Sequence, residues 1–475
     1  MANASSKKWW KNAVIYQINP RSFCDSNGDG IGDIAGIISK LHYLKELGVD
    51  AIWLGPIFPS PGHANGYDIS DYKGINPELG TMEDMEKLIS RAKRLGIKII
   101  IDLVINHTSD EHEWFKKALE GDPKYRNYYY FRTGKGKGFP NNWTSFLGGR
   151  AWTKTDGDDY YLHLFSKHQP DLNWHNPDVY DEITDIMRFW LDKGVAGFKC
   201  NMINIIYKKS LDDGKKRMAL TGREHYLNAS GYHELIRRFN EDVWSKYKTF
   251  IVGEPVFANL DEAKLLSDES RKELDSVFFS NQMNLDNIRI KGIKNKYNAF
   301  SLVKTLDKWQ ESLDIPATYF QNHDQLRSIK PFGNTTKYLD KSTKLFCGLG
   351  LSLKGIPFIC EGEEIGNANT DIKNENVEGQ NEDSILSFYK KMIAFRKDSQ
   401  AILEGSYRRV ASPSDVYLFT RESMDERLYI YCNLTNKNKS VEFYGEKIIF
   451  GNYDEQERED FYLKPYEFRI VATDI

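Results

Sequence analysis

The sequence predicts a (β/α)8 (TIM) barrel with a small inserted domain after its third strand and an all-β domain at its C-terminal end. Three observations predict it. Short apolar strands alternate with amphipathic helices from Ala13 to Lys397, eight times over. The alternation breaks once, from Asn106 to about Pro177, in a stretch rich in Tyr, Gly, Asn and Trp that is too long for a loop. Beyond about residue 402 the helical period gives way to strands with turn punctuation. Eight alternations with one insertion favour a closed barrel over an open doubly wound sheet. The expected boundaries are 1–106 and 178–401 for the barrel, 107–177 for the insert, and 402–475 for a C-terminal β-sandwich domain.

Taken in order, strand one is Ala13–Ile18, followed by a helix from Ile37 to Leu47 that Gly48 closes. Strand two is Ala51–Pro56. Thr81 with Asp84 three residues on forms a capping-box pattern, and that helix runs to Leu95. Strand three, Lys98–Ile105, is mostly β-branched, as a strand buried on both sides should be. After the insert come a helix over 181–193, strand four over 196–203 and a helix over 232–245. Strand five is Thr249–Val256, strand six Ser276–Met283, strand seven Ala317–Asn322 and strand eight Pro357–Cys360, with a last helix near Ser384–Lys397. In the C-terminal part, Val416–Thr420, Leu428–Cys432 and Phe468–Ala472 read as strands.

At 475 residues, 40% apolar and 28% charged, the chain has the composition of an ordinary globular protein of several domains. A net charge of −3 gives no broad attraction to nucleic acid or to an anionic membrane. No run approaches the length of a membrane span, and Met1–Lys8 lacks the apolar core of a signal peptide. Five scattered cysteines without a CxxC pair suit a reduced, cytoplasmic protein, and the expected assembly is a monomer or weak dimer.

Strand four carries the most informative residues. Apolar side chains at Ala196, Phe198, Cys200 and Met202 alternate, which puts Lys199 and Asn201 together on the other face. A polar pair on the inward face of a barrel strand is costly unless it serves a site. Glu254 ends strand five, where a carboxylate after an apolar strand is placed to act as a general acid. Asp25-x-Asn27-x-Asp29-Gly30-Ile31-Gly32-Asp33 sets oxygen side chains at alternate positions round a glycine turn, a spacing that suits a hard cation. Gly36 stands where an EF-hand would have its Glu, so the loop is not an EF-hand.

Several further stretches carry a resemblance. These are Asn65-Gly66-Tyr67-Asp68-Ile69-Ser70-Asp71-Tyr72, Asp102-Leu103-Val104-Ile105-Asn106-His107 and Gln169-Pro170-Asp171-Leu172-Asn173-Trp174. Two more are Gln321-Asn322-His323-Asp324-Gln325-Leu326-Arg327 and Glu361-Gly362-Glu363-Glu364. Together with strands four and five they resemble the α-amylase superfamily of retaining glycosidases, in the oligo-1,6-glucosidase group, over nearly the whole chain. The resemblance implies an exo-acting α-glucosidase acting on short gluco-oligosaccharides such as isomaltose, with a small oligosaccharide as partner. It makes position 201 the nucleophile, Glu254 the acid/base and Asp324 the transition-state stabiliser. It implies that Tyr67 stacks under the sugar, Asp68 binds a terminal hydroxyl, and His107 and His323 contact the sugar. Arg327 would pair with Asp68, and Lys199 occupies a substrate-side position. It also implies a structural Ca2+ (or Mg2+) on Asp25, Asn27, Asp29, Asp33 and the Ile31 carbonyl.

The same comparison exposes departures. Relatives read Gly-Phe-Arg-x-Asp where this chain has Gly197-Phe198-Lys199-Cys200-Asn201. A neutral amide is a poor nucleophile, and a lysine replaces a bidentate fork with a point charge. Phe279–Asn284 also differs from the family's strand six, and the connection between Ile365 and Asp383 is short. The expectation is therefore a sugar site whose hydrolytic chemistry is lost or severely impaired; the alternatives are a silent sugar- or protein-binding relative and a transglucosylase.

Overall fold

The structure, a computed structural model, describes residues 8–136, 138–278, 298–321, 332–334, 336–366, 383–454 and 462–473. Eight parallel strands form the barrel: β1 (Ile15–Ile18), β2 (Ala51–Leu54) and β3 (Lys98–Leu103) before the insert, then β7 (Gly197–Asn201), β8 (Phe250–Glu254), β9 (Ser276–Val277), β10 (Ala317–Thr318) and β11 (Ile356–Cys360). Their order is β10-β11-β1-β2-β3-β7-β8-β9. A parallel bridge between Phe278 and Ala317 joins the two ends and closes the ring. The central strands are buried along their whole length, as helices on the outside and packed side chains inside require.

The helices follow their sequence signals with one revision. Thr81 and Asp84 form the reciprocal capping box, and the helix runs Met82–Arg94. The helix expected from Ile37 to Leu47 is instead two, Ile34–Ser39 and Leu41–Leu47, broken at Lys40. It begins early because the Asp33 carboxylate accepts the Gly36 N–H and caps the first of them. Strands three and four end sooner than their apolar runs, at Leu103 and Asn201. Met202 turns the chain with a φ of 48°, which ends β7 directly after Asn201.

The insert holds a small antiparallel sheet of β4 (Phe131–Thr133), β5 (Trp152–Lys154) and β6 (Asp159–Leu162), in the order β4-β6-β5. Its own core, with Trp143, Trp152, Leu162 and Leu164, takes in Ile205 and Tyr226 from the connection after β7. Bridges from His107 to Asp171 and from Tyr129 to Leu172 fasten its return leg beside the end of β3. The C-terminal part has a five-stranded antiparallel sheet of β12 (Ser406–Arg409), β13 (Val416–Glu422), β14 (Arg427–Asn433), β18 (Phe468–Thr473) and β16 (Lys447–Gly451). A two-stranded pair, β15 (Lys439–Ser440) with β17 (Tyr462–Leu463), completes it. The two-residue period sorts β13 cleanly: Tyr417 and Phe419 join the barrel's core, while Val416 and Leu418 join a separate cluster.

Candidate active site

Register places the key residues side by side at the C-terminal end of the barrel. Asp102 of β3 lies opposite Lys199 of β7, and Asn201 of β7 lies opposite Glu254 of β8. Lys199 and Asn201 are buried, 2% and 7% exposed, while Glu254 is half-buried. The Lys199 ammonium donates to both Asn201 Oδ1 and Glu254 Oε2, so it bridges the ends of β7 and β8. It also sits 5.1 Å from the centre of the Trp53 ring. The Trp53 indole N–H in turn donates to Asp102 Oδ1 at 2.9 Å. Trp53 packs with Phe278 and Phe358, giving the barrel mouth an aromatic floor.

On the side of β2 and β3, Tyr67 is partly buried and Asp68 is wholly buried. The Asp68 carboxylate accepts from Ser60 Oγ (2.6 Å), His63 N (2.9 Å) and Ala64 N (3.0 Å), which folds the loop after β2 round it. His107 Nε2 lies 3.1 Å from the Tyr67 carbonyl, and its Nδ1 lies 3.2 Å from the Asn106 amide nitrogen. Burial pulls the His107 pKa down to about 4, so the ring is neutral at ordinary pH. Phe165 of the insert meets the His107 ring edge-on at 5.2 Å. Tyr67, Asp68 and His107 are thus brought together, and Lys199, Asn201 and Glu254 form a second group. His323, Asp324 and Arg327 lie outside the described residues, as do Phe279–Asn284 and most of the connection after Ile365.

Lys208 carries a role the sequence did not announce. Its ammonium is fully buried, paired with Asp171 at 2.7 Å, and donates to Asn106 Oδ1 at 2.8 Å. The available signal was Asp171 within the Gln169–Trp174 motif, since a buried carboxylate requires a partner. Glu361 accepts from Asn19 N (3.0 Å) and Ser22 Oγ (2.5 Å), tying β11 to the loop after β1.

In the loop of residues 25–33, Asp25 accepts the backbone N–H groups of Asn27, Gly28 and Gly30, at 3.1, 2.7 and 2.8 Å. Those bonds, chiefly from Gly30 and Gly28, hold its carboxyl below the ordinary value. Asn27 Oδ1 accepts Asp29 N and Asp29 Oδ1 accepts Ile31 N. Asp33, besides capping its helix, accepts from Ser26 N and Oγ. Among the described residues no three His, Cys, Asp or Glu side chains stand positioned to share an ion. The donor set of this loop is all oxygen, which fits a hard cation in kind, with Asp33 the member most committed elsewhere.

The α-amylase catalytic-domain family matches residues 17–382, and the chain belongs to it. It is 38% identical to the oligo-1,6-glucosidase of Parageobacillus thermoglucosidasius, covering 97% of this chain and 98% of that one. That alignment runs over 556 positions, more than the 475 residues here, so the relative carries segments this chain lacks. Among solved structures it is similar to the trehalose-6-phosphate hydrolase of Bacillus licheniformis, with a TM-score of 0.91, 32% identity, and coverage of 98% and 99%. The isomaltulose synthase of Erwinia rhapontici is equally similar, with a TM-score of 0.92, 31% identity, and coverage of 98% and 99%.

Proposed function

We propose that the chain is an exo-type α-glucosidase scaffold that binds short gluco-oligosaccharides, with α-1,6-linked isomaltose favoured, and hydrolyses them poorly or not at all. The carrying observation is the ammonium of Lys199 lodged between Asn201 and Glu254. A retaining glycosidase needs two carboxylates about 5–5.5 Å apart, one to attack and one to protonate the leaving oxygen. Here the attacking position holds a neutral amide. The would-be acid has its Oε2 held by that same ammonium, so this oxygen is not free to face a leaving group. Sugar contacts from β2 and β3 do not depend on that charge, whereas the transition state does.

The test is turnover of an aryl α-glucoside by the chain and by Asn201→Asp, alone and combined with Lys199→Arg. The expected result is no measurable turnover at first and a gain of several orders of magnitude in the double variant. No gain in either variant sinks the glucosidase reading. Calorimetric titration with isomaltose then decides whether a sugar site exists at all.

We also propose that the loop of residues 25–33 holds one structural Ca2+ (or Mg2+) on Asp25, Asn27, Asp29, Asp33 and the Ile31 carbonyl. Its all-oxygen donor set, gathered round one glycine turn, supports this reading. Five free, buried cysteines support a reducing, cytoplasmic setting.

A further inference from the structure

Two imidazole rings from distant parts of the chain lie face to face beside the loop that carries Asp68. His63, in the loop after β2, and His168, in the return leg of the insert, stack with ring centres 3.8 Å apart and planes 15° from parallel. The His168 Nδ1 lies 2.7 Å from Asp110 Oδ2, in the loop after β3. An ionised carboxylate only accepts, so Nδ1 carries a proton, and the bond is strongest when the ring is an imidazolium. His63 is exposed to water, whereas the His168 and Asp110 side chains are 27% and 24% exposed. A neutral π-face attracts a cation laid over it, but two cations at that separation repel. The stack therefore holds one positive charge well and two badly.

Backbone bonds make this stack a joint between three segments. Asp110 N donates to the His168 carbonyl at 3.1 Å, Thr108 N to the Pro170 carbonyl at 3.2 Å, and Ser109 N to the Ile69 carbonyl at 2.8 Å. His63 N and Ala64 N donate to the Asp68 carboxylate at 2.9 and 3.0 Å. Whatever fixes the His63 ring therefore also steadies the backbone that orients Asp68. The charged and titratable groups round the pair are Asp110, Asp68 and, within the insert, His163, with exposed Glu111 and Lys167 flanking in the chain. Burial pulls the His163 pKa down, and the His168 charge adds to that. We propose that His63 and His168 form a proton-operated clasp on Asp68. With one proton the rings stack and the loop is held; with a second the rings part and the loop round Asp68 loosens. His63 is thus a positioning residue, acting on Asp68 through its own backbone N–H. This rests on the sugar-site reading above and adds to it a regulator, the proton.

The test follows the full chain between about pH 7.5 and about pH 5.5, a range that spans the protonation of a free histidine ring. His107, whose pKa is pulled down to about 4, keeps its neutral state there. Two readouts apply: protection of the Ala64 amide against hydrogen exchange, corrected for the intrinsic rate, and calorimetric affinity for isomaltose. In the starting chain both should fall on acidification, by about threefold or more. His63→Phe keeps a ring to stack but cannot charge, so both readouts should change by less than about twofold over the same range. His63→Gln has neither ring nor charge, so its Ala64 protection should be low at both pH values. Protection that ignores pH in the starting chain, or that falls equally in His63→Phe, overturns the proposal. So does His63→Gln protection equal to that of the starting chain at the higher pH, since the stack would then hold nothing. If protection falls as expected but the starting chain binds no isomaltose at either pH, the clasp stands and the sugar-site reading falls.

Discussion

At the scale of single residues, chemistry here turns on what Lys199 touches. A lysine and an asparagine two apart on a strand could have pointed at solvent or at unrelated partners. Register makes Glu254 the third member, because Asn201 and Glu254 face each other across β7 and β8. Two histidines carry a titratable consequence of burial. His107 and His112 are both held down to about pH 4 by desolvation. His112 Nδ1 also accepts the Trp114 N–H as the cap of its helix, a role only the neutral ring can fill. A histidine in the unfolded chain takes its proton near pH 6.5, so the unfolded state gains protons first on acidification. Their contribution is therefore fully present above about pH 6.5 and is lost as pH falls toward 4, on the order of 3 kcal/mol for each ring. Thermal melts between pH 7 and 4 should show this decline. His112→Asn keeps a cap and removes the titrating ring, so it should make the decline shallower; an unchanged slope would refute the assignment.

At the scale of elements, sequence and structure agree where one period dominates and part where partners decide. The barrel strands were legible because apolar runs alternate with helical periods, and the Thr81 box because its two members are local. The break at Lys40 was not, since it follows from Asp33 capping a helix that starts three residues earlier than the apolar pattern shows. Glu254 and Lys199 were legible as residues at strand ends, but which carboxylate Lys199 meets was not, because strand register is a property of the closed barrel. Lys208 was invisible for the same reason: its partners, Asn106 and Asp171, lie 102 and 37 positions away in the chain. The loop of residues 25–33 offers an element-scale test. A bound ion stabilises the folded chain by linkage, so excess chelator should lower the melting temperature and added millimolar Ca2+ restore it. Asp29→Ala should abolish the response while leaving isomaltose affinity intact at a temperature where the protein is folded. Melting that ignores both chelator and Ca2+ would remove the ion from the account.

At the scale of the whole molecule, the C-terminal sheet is not an appendage. Tyr417, Phe419, Leu428, Phe468 and Ile470 belong to the same buried cluster as the barrel strands. Of two buried arginines here, Arg421 crosses the join and Arg396 braces its barrel side. Arg396 donates to the carbonyls of Leu351 and Gly355, both at 2.7 Å, and Arg421 donates to Ser352 O at 3.0 Å and Gly405 O at 2.9 Å. Leu351 and Ser352 end the helix Leu339–Ser352, whose last carbonyls lack intrahelical partners, and Gly355 leads into β11. Packing is close enough that a methyl group added at Gly348 would stand 2.5 Å from the Phe468 ring. A shared core predicts a single cooperative unfolding transition for barrel and sheet together. Arg421→Met keeps most of the side-chain volume but leaves two buried carbonyls without their donor. It should cost about 2–4 kcal/mol, seen as a lower denaturant midpoint with one transition preserved. Gly348→Ala should act at the same interface through overpacking, at about 1–3 kcal/mol. If calorimetry resolves two transitions in the starting chain, with Arg421→Met moving only one of them, the sheet is a separate folding unit and the shared core carries no coupling.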